Sequence, residues 1–85
     1  MLAQVYDLDV WKIDGIWQVN DSFLVKEIDI DCDISGKEVI ALLIENGFLH
    51  EEAITQCSFN DDEYGYTIFD DNLQQYPIYR INLPN

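Results

Sequence analysis

The chain has 85 residues, of which seventeen are Asp or Glu and only four are Lys or Arg, so its formal net charge is −13. A chain of this length buries one hydrophobic core, so we expect residues 1–85 to form a single domain, and its 48% apolar content excludes a disordered acidic tail. Such an excess of negative charge repels nucleic acid and anionic membrane surfaces, so we expect no direct binding to either, and cationic partners instead.

The N-terminal stretch MLAQVYDLDV does not have the pattern of an export signal. A signal peptide begins with basic residues and continues with a long apolar run, whereas this stretch contains Asp7 and Asp9. No part of the sequence reaches the roughly 20 apolar residues of a membrane span. We therefore expect a cytoplasmic protein in which Cys32 and Cys57 are reduced, half-buried thiols, with one disulfide as the alternative.

Residues 2–31 have the pattern of a three-stranded meander. AQVYDLDVW alternates with period two, which predicts a strand. Asp14-Gly15 predicts a two-residue turn, because both central residues of a type I′ turn need positive φ. IWQVN is then the returning strand, Asn20-Asp21 a second turn, and SFLVKEIDI the third strand.

EIDIDCDISGKEV, residues 27–39, resembles a calcium-binding loop in its spacing of acids. Such a loop needs a bidentate Glu at its twelfth position, but that residue is Leu42 when counting starts at Asp31 and Ile40 when it starts at Asp29. An apolar residue there removes two of the oxygens that the ion requires. We therefore expect no metal in this stretch and no cofactor elsewhere.

The same letters are typical of a helix start. Ser35 at the N-cap and Glu38 at N3 form a capping box, and Gly47 is placed to end the helix in a Schellman motif. The sequence therefore predicts a helix over about 36–46 whose wide apolar face lies across a sheet. That apolar face consists of Val39, Ile40, Leu42, Leu43 and Ile44.

The last third of the chain is predicted to close the sheet. LHEEAITQCSF fits either a short helical turn at 51–52 or a strand over about 53–59, and YTIFDD with YPIYRINL reads as a hairpin. Pro77 places the last strand at an edge or stands at its first position. The expected fold class is α+β: an antiparallel sheet, made of the N-terminal meander and the C-terminal hairpin, with one helix packed on one face.

Catalytic signatures are weak in this sequence, so we predict that the protein is not an enzyme. His50 is the only histidine, and Glu51 and Glu52 beside it oppose the positive surroundings that a Cys57 thiolate would need. The acids fall on alternating, solvent-facing positions and not in a cleft that would separate their pKa values. A small hydrolase using His50 and Cys57 is the enzymatic alternative.

The pattern of acids is the feature that points to a partner. Residues two apart on a strand are about 6.6–6.8 Å apart, whereas one DNA strand carries a phosphate every 3.4 Å or so, so two neighbouring acidic rows are needed to approach a phosphate backbone. A meander that set the first strand beside the third would bring two rows together on the face away from the helix. The alternative is that the acids are ordinary solvated and turn residues. The candidate partner-binding residues are Asp7, Asp9, Glu27, Asp29, Asp31, Asp61, Asp62, Glu63, Asp70 and Asp71.

Two tryptophans flank the first predicted turn. A cross-strand contact between Trp11 and Trp17 would stabilise the hairpin. If either ring is exposed next to the acids, it becomes an anchor for a protein interface, because aromatic residues concentrate in interface hot spots. The sequence leaves both roles open.

VYDLDVWKIDGIWQVND, the capped helix ending in ENGFL, and the closing PIYRINLPN together resemble small acidic proteins of bacteriophages and prophages. The resemblance implies a source and carries over no functional residue. Small acidic phage proteins often resemble inhibitors of host defence of the anti-CRISPR or anti-restriction kind, which occupy cationic DNA-binding surfaces.

We therefore expect an acidic protein-binding module, a DNA mimic acting in the cytoplasm of an infected bacterial host. Its partner would be a basic nucleic-acid-binding host protein, such as a CRISPR or restriction nuclease. The alternative is an accessory or structural phage protein that forms a homodimer or larger assembly through an edge strand and its aromatics.

Overall fold

One antiparallel sheet organises the molecule. A computed structural model describes residues 1–31 and 33–84, so the expectation for Cys32 lies outside the described residues, while Cys57 is a free, half-buried thiol. The strands lie in the order β2-β1-β5-β4-β3, and all neighbours are antiparallel. In chain order the elements are β1 (Leu2–Ile13), β2 (Ile16–Asp29), α1 (Gly36–Glu45), α2 (Ala53–Gln56), β3 (Cys57–Asp62), β4 (Gly65–Asp70), a short 3-10 helix (Asp71–Leu73) and β5 (Tyr76–Asn82).

The predicted α+β class with a three-stranded meander is wrong. Strands make up 54% of the chain and helix 20%, and among the described residues α1 is the one helix of at least seven residues, so the fold is mainly β. The run predicted as the second and third strands is the single strand β2. Asp9 pairs with Asp21 and Val10 with Val19, so Asn20 is the extra residue of a β-bulge and not part of a turn.

The first turn forms as the sequence predicts. Asp14 and Gly15 have φ of 52° and 79°, and Ile13 pairs with Ile16 on either side of them. Both central residues are therefore in the left-handed region that a type I′ turn requires. This turn joins two long strands of 12 and 14 residues.

The predicted helix also forms, ending one residue earlier than expected. The Ser35 hydroxyl accepts a hydrogen bond from the Glu38 N–H at 3.3 Å and donates one to the Glu38 carboxylate at 3.1 Å. At the other end, the Phe48 N–H donates to the Leu43 carbonyl at 2.9 Å, and Gly47 has φ of 81°. The bonds from the Glu38 and Phe48 N–H groups satisfy backbone groups at the two ends of the helix, as the capping and Schellman patterns predict, whereas the Glu38 carboxylate accepts from the Ser35 hydroxyl and not from the backbone N–H that a full capping box would use.

The core lies between α1 and one side of the sheet, which we call the inner face. Val5, Leu43 and Ile68 are its largest fully buried side chains. Alternation along the strands places the intervening residues on the opposite, outer face. The core cluster consists of Ala3, Val5, Ile30, Val39, Ile40, Leu43, Ala53, Ile68 and Ile81.

The C-terminal hairpin of β4 and β5 forms as predicted, but β5 is not an edge strand. The segment before β3 contains both a short helix, α2, and a strand that begins at Cys57. The strand β5 lies between β4 and β1, and its ladder with β1 begins only at Tyr79. Pro77 is tolerated because it precedes that ladder and adjoins a bulge opposite Ile68 and Phe69.

The first hairpin continues beyond the rest of the sheet. The strand β1 pairs with β5 only as far as Asp7, whereas its pairing with β2 continues to Ile13. We call residues 7–23, from the Asp7–Phe23 pair to the turn, the ribbon. It contributes to an elongated molecule of 38 × 26 × 21 Å.

Candidate interaction surface

The two sides of the ribbon differ in what covers them. On one side the Trp17 ring meets the Tyr76 ring edge to face, with centroids 4.8 Å apart, and its indole N–H donates to the Leu73 carbonyl at 3.2 Å. Leu8, which alternation places on this same side, is buried. We call this the Trp17 side, and it is the side on which the C-terminal part of the chain contacts the ribbon.

The opposite side, the Trp11 side, presents large apolar groups to solvent. Trp11 is 56% exposed, Ile16 is 63% exposed and Phe23 is 55% exposed, and Ile13 is exposed as well. The register pairs Ile13 with Ile16 and Asp7 with Phe23, and paired residues share a side of the ribbon. Trp11, Ile13 and Ile16 are therefore neighbours near the turn, and Phe23 is exposed on the same side beyond the Asp9–Asp21 pair.

Carboxylates are interspersed with those apolar groups. Asp7, Asp9 and Trp11 occupy every second position of β1 and therefore share a side of the ribbon. Asp21 pairs with Asp9 across the ribbon. Asp7, Asp9 and Phe23 line a shallow depression of about 320 Å³. Asp9 also accepts a hydrogen bond from the Asn20 amide at 3.0 Å, which fixes its position beside the bulge.

The two predicted acidic rows do not lie side by side on the face away from the helix. Asp7 follows Val5 by two residues and shares its inner face, whereas Glu27 pairs with Gln4 and belongs to the outer face. Asp29 pairs with Leu2 and is also on the outer face. The meander that would have aligned the rows is absent, since β2 replaces its second and third strands.

Asp29 and Asp31 border an open groove at the chain start. The groove has a volume of about 550 Å³, and Glu38 also lines it. The Met1 amino group donates to the Asp29 carboxylate at 3.1 Å and to the Ile30 carbonyl at 2.8 Å. Part of the negative charge of this groove is thus neutralised within the chain.

The acids at 61–63 surround a turn that is held by an ion pair. Arg80 binds the Asp62 carboxylate with both terminal nitrogens, each at 2.8 Å, and Asp62 also accepts the N–H groups of Tyr64 and Gly65. The arginine hydrogen bond, followed by that from the Tyr64 backbone, lowers the pKa of Asp62 from 3.8 to about 2. Asp62 therefore has a structural role, while Asp61 and Glu63 beside it are exposed.

Asp70 and Asp71 have local partners as well. Asp70 accepts the Asn72 N–H at 2.9 Å and caps the 3-10 helix, and Asp71 accepts the Ser58 hydroxyl at 2.7 Å. The bond to Asp70 is of the local kind that makes Asp frequent in turns, whereas the bond to Asp71 joins it to the start of β3. Of the ten predicted residues, Asp7 and Asp9 lie on the ribbon, Glu27 on the outer face of β2, Asp29 and Asp31 at the groove, and the other five at two turns, so only Asp7 and Asp9 adjoin the apolar groups of the Trp11 side.

None of the described basic side chains forms an ion pair with a carboxylate of the ribbon. The Lys12 ammonium lies 5.0 Å from the Trp17 ring centre, on the Trp17 side, and Lys26 donates to the Asn46 side chain at 2.8 Å. Arg80 is bound to Asp62, and Lys37 stands in the first turn of α1. The carboxylates of the Trp11 side therefore give that surface a negative field.

Of the two roles that the sequence left open for the tryptophans, the structure does not show the cross-strand contact between them. Trp11 pairs with Gln18 and Trp17 pairs with Lys12, so alternation places the two rings on opposite sides of the ribbon. Trp17 is half-buried against the rest of the fold, and Trp11 is the exposed ring next to acids. The sequence analysis did not identify Ile13, Ile16 and Phe23 as candidate residues. Apolar and polar residues are mixed along almost the whole of β2, and that pattern indicates a strand without a buried face.

His50 and Cys57 line a common depression of about 170 Å³ together with Asp70. Burial first, and then the charges of Asp70 and Asp71, raise the pKa of the Cys57 thiol. A nucleophilic cysteine needs the opposite shift, because the thiolate is the reactive form. The local field therefore opposes thiolate chemistry at this position.

Two further features bear on the kinds of site that the surface offers. Among residues 1–31 and 33–84, no three or more His, Cys, Asp or Glu side chains are grouped so that they could hold a metal ion. Within the same ranges, neither helix has the length and apolarity needed to cross a bilayer.

Comparison of the chain with protein-family models, with curated proteins and with solved structures gave no significant match.

Proposed function

We propose that the protein is a small acidic binding module that occupies the basic, nucleic-acid-binding surface of another protein. The observation that carries this proposal is Trp11, an exposed ring on a projecting ribbon among the carboxylates of Asp7, Asp9 and Asp21. Exposed aromatic groups are typical anchors of protein interfaces. The net charge of −13 selects a cationic partner and disfavours nucleic acid itself.

Nucleic-acid-binding proteins expose the basic surfaces that such a module needs. A phage-type inhibitor of a host defence protein, such as a CRISPR or restriction nuclease, would act in this way in the cytoplasm of an infected bacterium. Inhibition would come from covering the basic surface. The separation of Asp7 and Glu27 onto opposite faces does not support an imitation of phosphate rows.

Capture from a bacterial lysate at about 0.05 M and about 0.5 M salt tests the proposal, because screening shortens the range of electrostatic attraction across that interval. We expect nucleic-acid-binding proteins to be retained at the lower salt concentration and to be released by added double-stranded DNA. A partner that resists both salt and DNA would contradict the proposal. Replacing Glu27, Asp29 and Asp31 together by amides shows whether these three acids contribute to this capture.

Self-association through the edge strand is the second candidate. The strand β2 has no neighbour on its outer side, and Val25 is exposed along it. Two features oppose this candidate: bulges at Asn20 and Val25 interrupt the edge, and two copies of charge −13 repel each other. Light scattering over a range of concentrations distinguishes the two, since self-association predicts a mass that rises with concentration.

A further inference from the structure

The Trp11 side of the ribbon leaves four large apolar side chains, Trp11, Ile13, Ile16 and Phe23, exposed to solvent. This side consists of two rows of side chains, one on β1 and one on β2, and these neighbouring strands are about 4.7–4.9 Å apart. Asp7 and Phe23 close it at the base, and Ile13 and Ile16 close it at the turn. Exposed apolar side chains grouped in this way mark interaction sites.

The fold itself does not cover this side. Tyr76 and Leu73 approach the ribbon through Trp17, which is on the other side. Alternation of side chains is fixed by the ladder of β1 and β2, so Trp11 and Phe23 cannot turn toward Tyr76 without breaking the register. Any occupant of the Trp11 side would therefore be another molecule.

Charge complementarity identifies the chemistry of that occupant. Asp7 and Asp21 are exposed on this surface. Asp9 is two residues after Asp7 on β1 and pairs with Asp21 on β2. Lys12, the basic residue nearest in sequence, is on the Trp17 side. A segment that buries the apolar groups must bring positive charge to these carboxylates, because desolvating unpaired carboxylates is costly. A second copy of this chain would bring further carboxylates instead.

The ribbon offers its face, and not its edge, to the partner. Register shifts leave Val25 and Asn20 as extra residues of β2, which divides the edge into the segments 16–19, 21–24 and 26–29. Bulges of this kind protect edge strands from pairing with other chains. A continuous added strand is therefore disfavoured, whereas side-chain contacts on the Trp11 side are unaffected by the bulges.

We propose that the Trp11 side of the ribbon is a docking surface for a protein segment that presents alternating apolar and basic side chains. Its apolar groups contact Trp11, Ile16 and Phe23. Its Lys or Arg side chains pair with the neighbouring carboxylates. This inference rests on the proposed function and names the surface that performs it.

Titration of the full-length protein, labelled with ¹⁵N, tests the docking surface. The probe is a short peptide that repeats Leu-Ser-Lys-Ser, whose extended form presents Leu and Lys in turn on one face, and in the control peptide each Leu is replaced by Ser at the same length and charge. We expect the Leu peptide to bind at least about tenfold more tightly, because only its side chains bury the apolar surface. The indole N–H signal of Trp11 should shift on binding, while that of Trp17 should not.

Matched substitutions on the two sides of β2 locate the contact. Phe23→Ser should remove most of the preference for the Leu peptide, at least about tenfold in Kd. Leu24→Ser, at a neighbouring position that is 51% exposed on the opposite side, should change the Kd by less than about twofold. Amide spectra of both variants establish that each has folded.

Equal binding of the two peptides, or no binding of either, would overturn the docking surface while leaving the proposed function to be decided by the lysate capture. Equal losses in Phe23→Ser and Leu24→Ser would also overturn it. A dimer that Phe23→Ser dissociates would show that the occupant is a second copy and would contradict the charge argument. Capture that fails while the Leu peptide binds selectively would reject the proposed function alone.

Discussion

Two regions of the molecule use the same residue types for opposite purposes. One is the half of the sheet that packs against α1, and the other is the ribbon. In the first region, Val5 and Ile68 are fully buried against Leu43. In the ribbon, Trp11 and Phe23 are exposed although the strands around them are paired except at the Asn20 bulge. Apolar residues thus stabilise one region, whereas in the other they are left available for contact, and only the order of the strands decides which is which.

Truncation of one isoleucine in each region gives the largest contrast. Ile68→Ala should lower the free energy of unfolding by about 2–5 kcal/mol, because it leaves a cavity in the core. Ile16→Ala should lower it by about 1 kcal/mol or less, because the side chain is already exposed. Urea unfolding measures both. Equal losses would mean that the ribbon surface is covered in solution.

Glycines sharpen the contrast at the level of the backbone. A Cβ built on Gly65 would collide with the Ile81 carbonyl oxygen inside the sheet, at a residue with φ of 151°. Gly65→Ala should therefore destabilise the protein by on the order of 3 kcal/mol or more. Gly15→Ala meets no atom within 4 Å at φ of 79°, so only the left-handed backbone penalty of about 1–2 kcal/mol is expected. Thermal unfolding compares them, and a greater loss at Gly15 would reverse the ranking of the two regions.

Local signals explain which elements the sequence could predict. The Asp14-Gly15 turn and the helix started by Ser35 and ended by Gly47 depend on φ values and capping bonds within a few residues. Asn20-Asp21 misled the interpretation, because the residue types that favour turns also occur at bulges. No local feature of the sequence distinguishes a turn from a bulge at Asn20. Because the structure has a bulge there, the predicted second and third strands are one long strand.

The position of the candidate surface depended on pairings far apart in sequence. Asp7 pairs with Tyr79, and this β1–β5 ladder decides where the sheet ends and the ribbon begins. The exposure of Trp11 and the half-burial of Trp17 follow from it, since Trp17 meets Tyr76. Sequence reasoning identified the acids and aromatics as candidates, but their assignment to sides required the register.

Loosening the ribbon without altering the core tests how independent the two regions are. Trp17→Phe retains a ring near Tyr76 but removes the hydrogen bond to the Leu73 carbonyl, with an expected loss of about 0.5–1.5 kcal/mol. Amide hydrogen exchange should accelerate within residues 7–23 and stay unchanged in β4, because local opening affects the less buried region first. Acceleration in β4 to the same extent would show that the ribbon and the core open as one unit.

The smallest expected effect concerns the ion pair between Arg80 and Asp62. This ion pair lies in the half of the sheet that packs against α1, and the described carboxylates of the Trp11 side form no such pair. Because the pKa of Asp62 is lowered from 3.8 to about 2, its bonded carboxylate stabilises the fold fully above pH 3.8. That contribution is lost as the pH falls through about 2, where the carboxylate is protonated in the folded state as well. Asp62→Asn should therefore be less stable than the wild type at neutral pH, and the difference should shrink between pH 3.8 and about 2. Urea unfolding at a series of pH values measures the difference, and a gap that stays constant through this interval would show that Asp62 acts through its hydrogen-bonding shape and not through its charge.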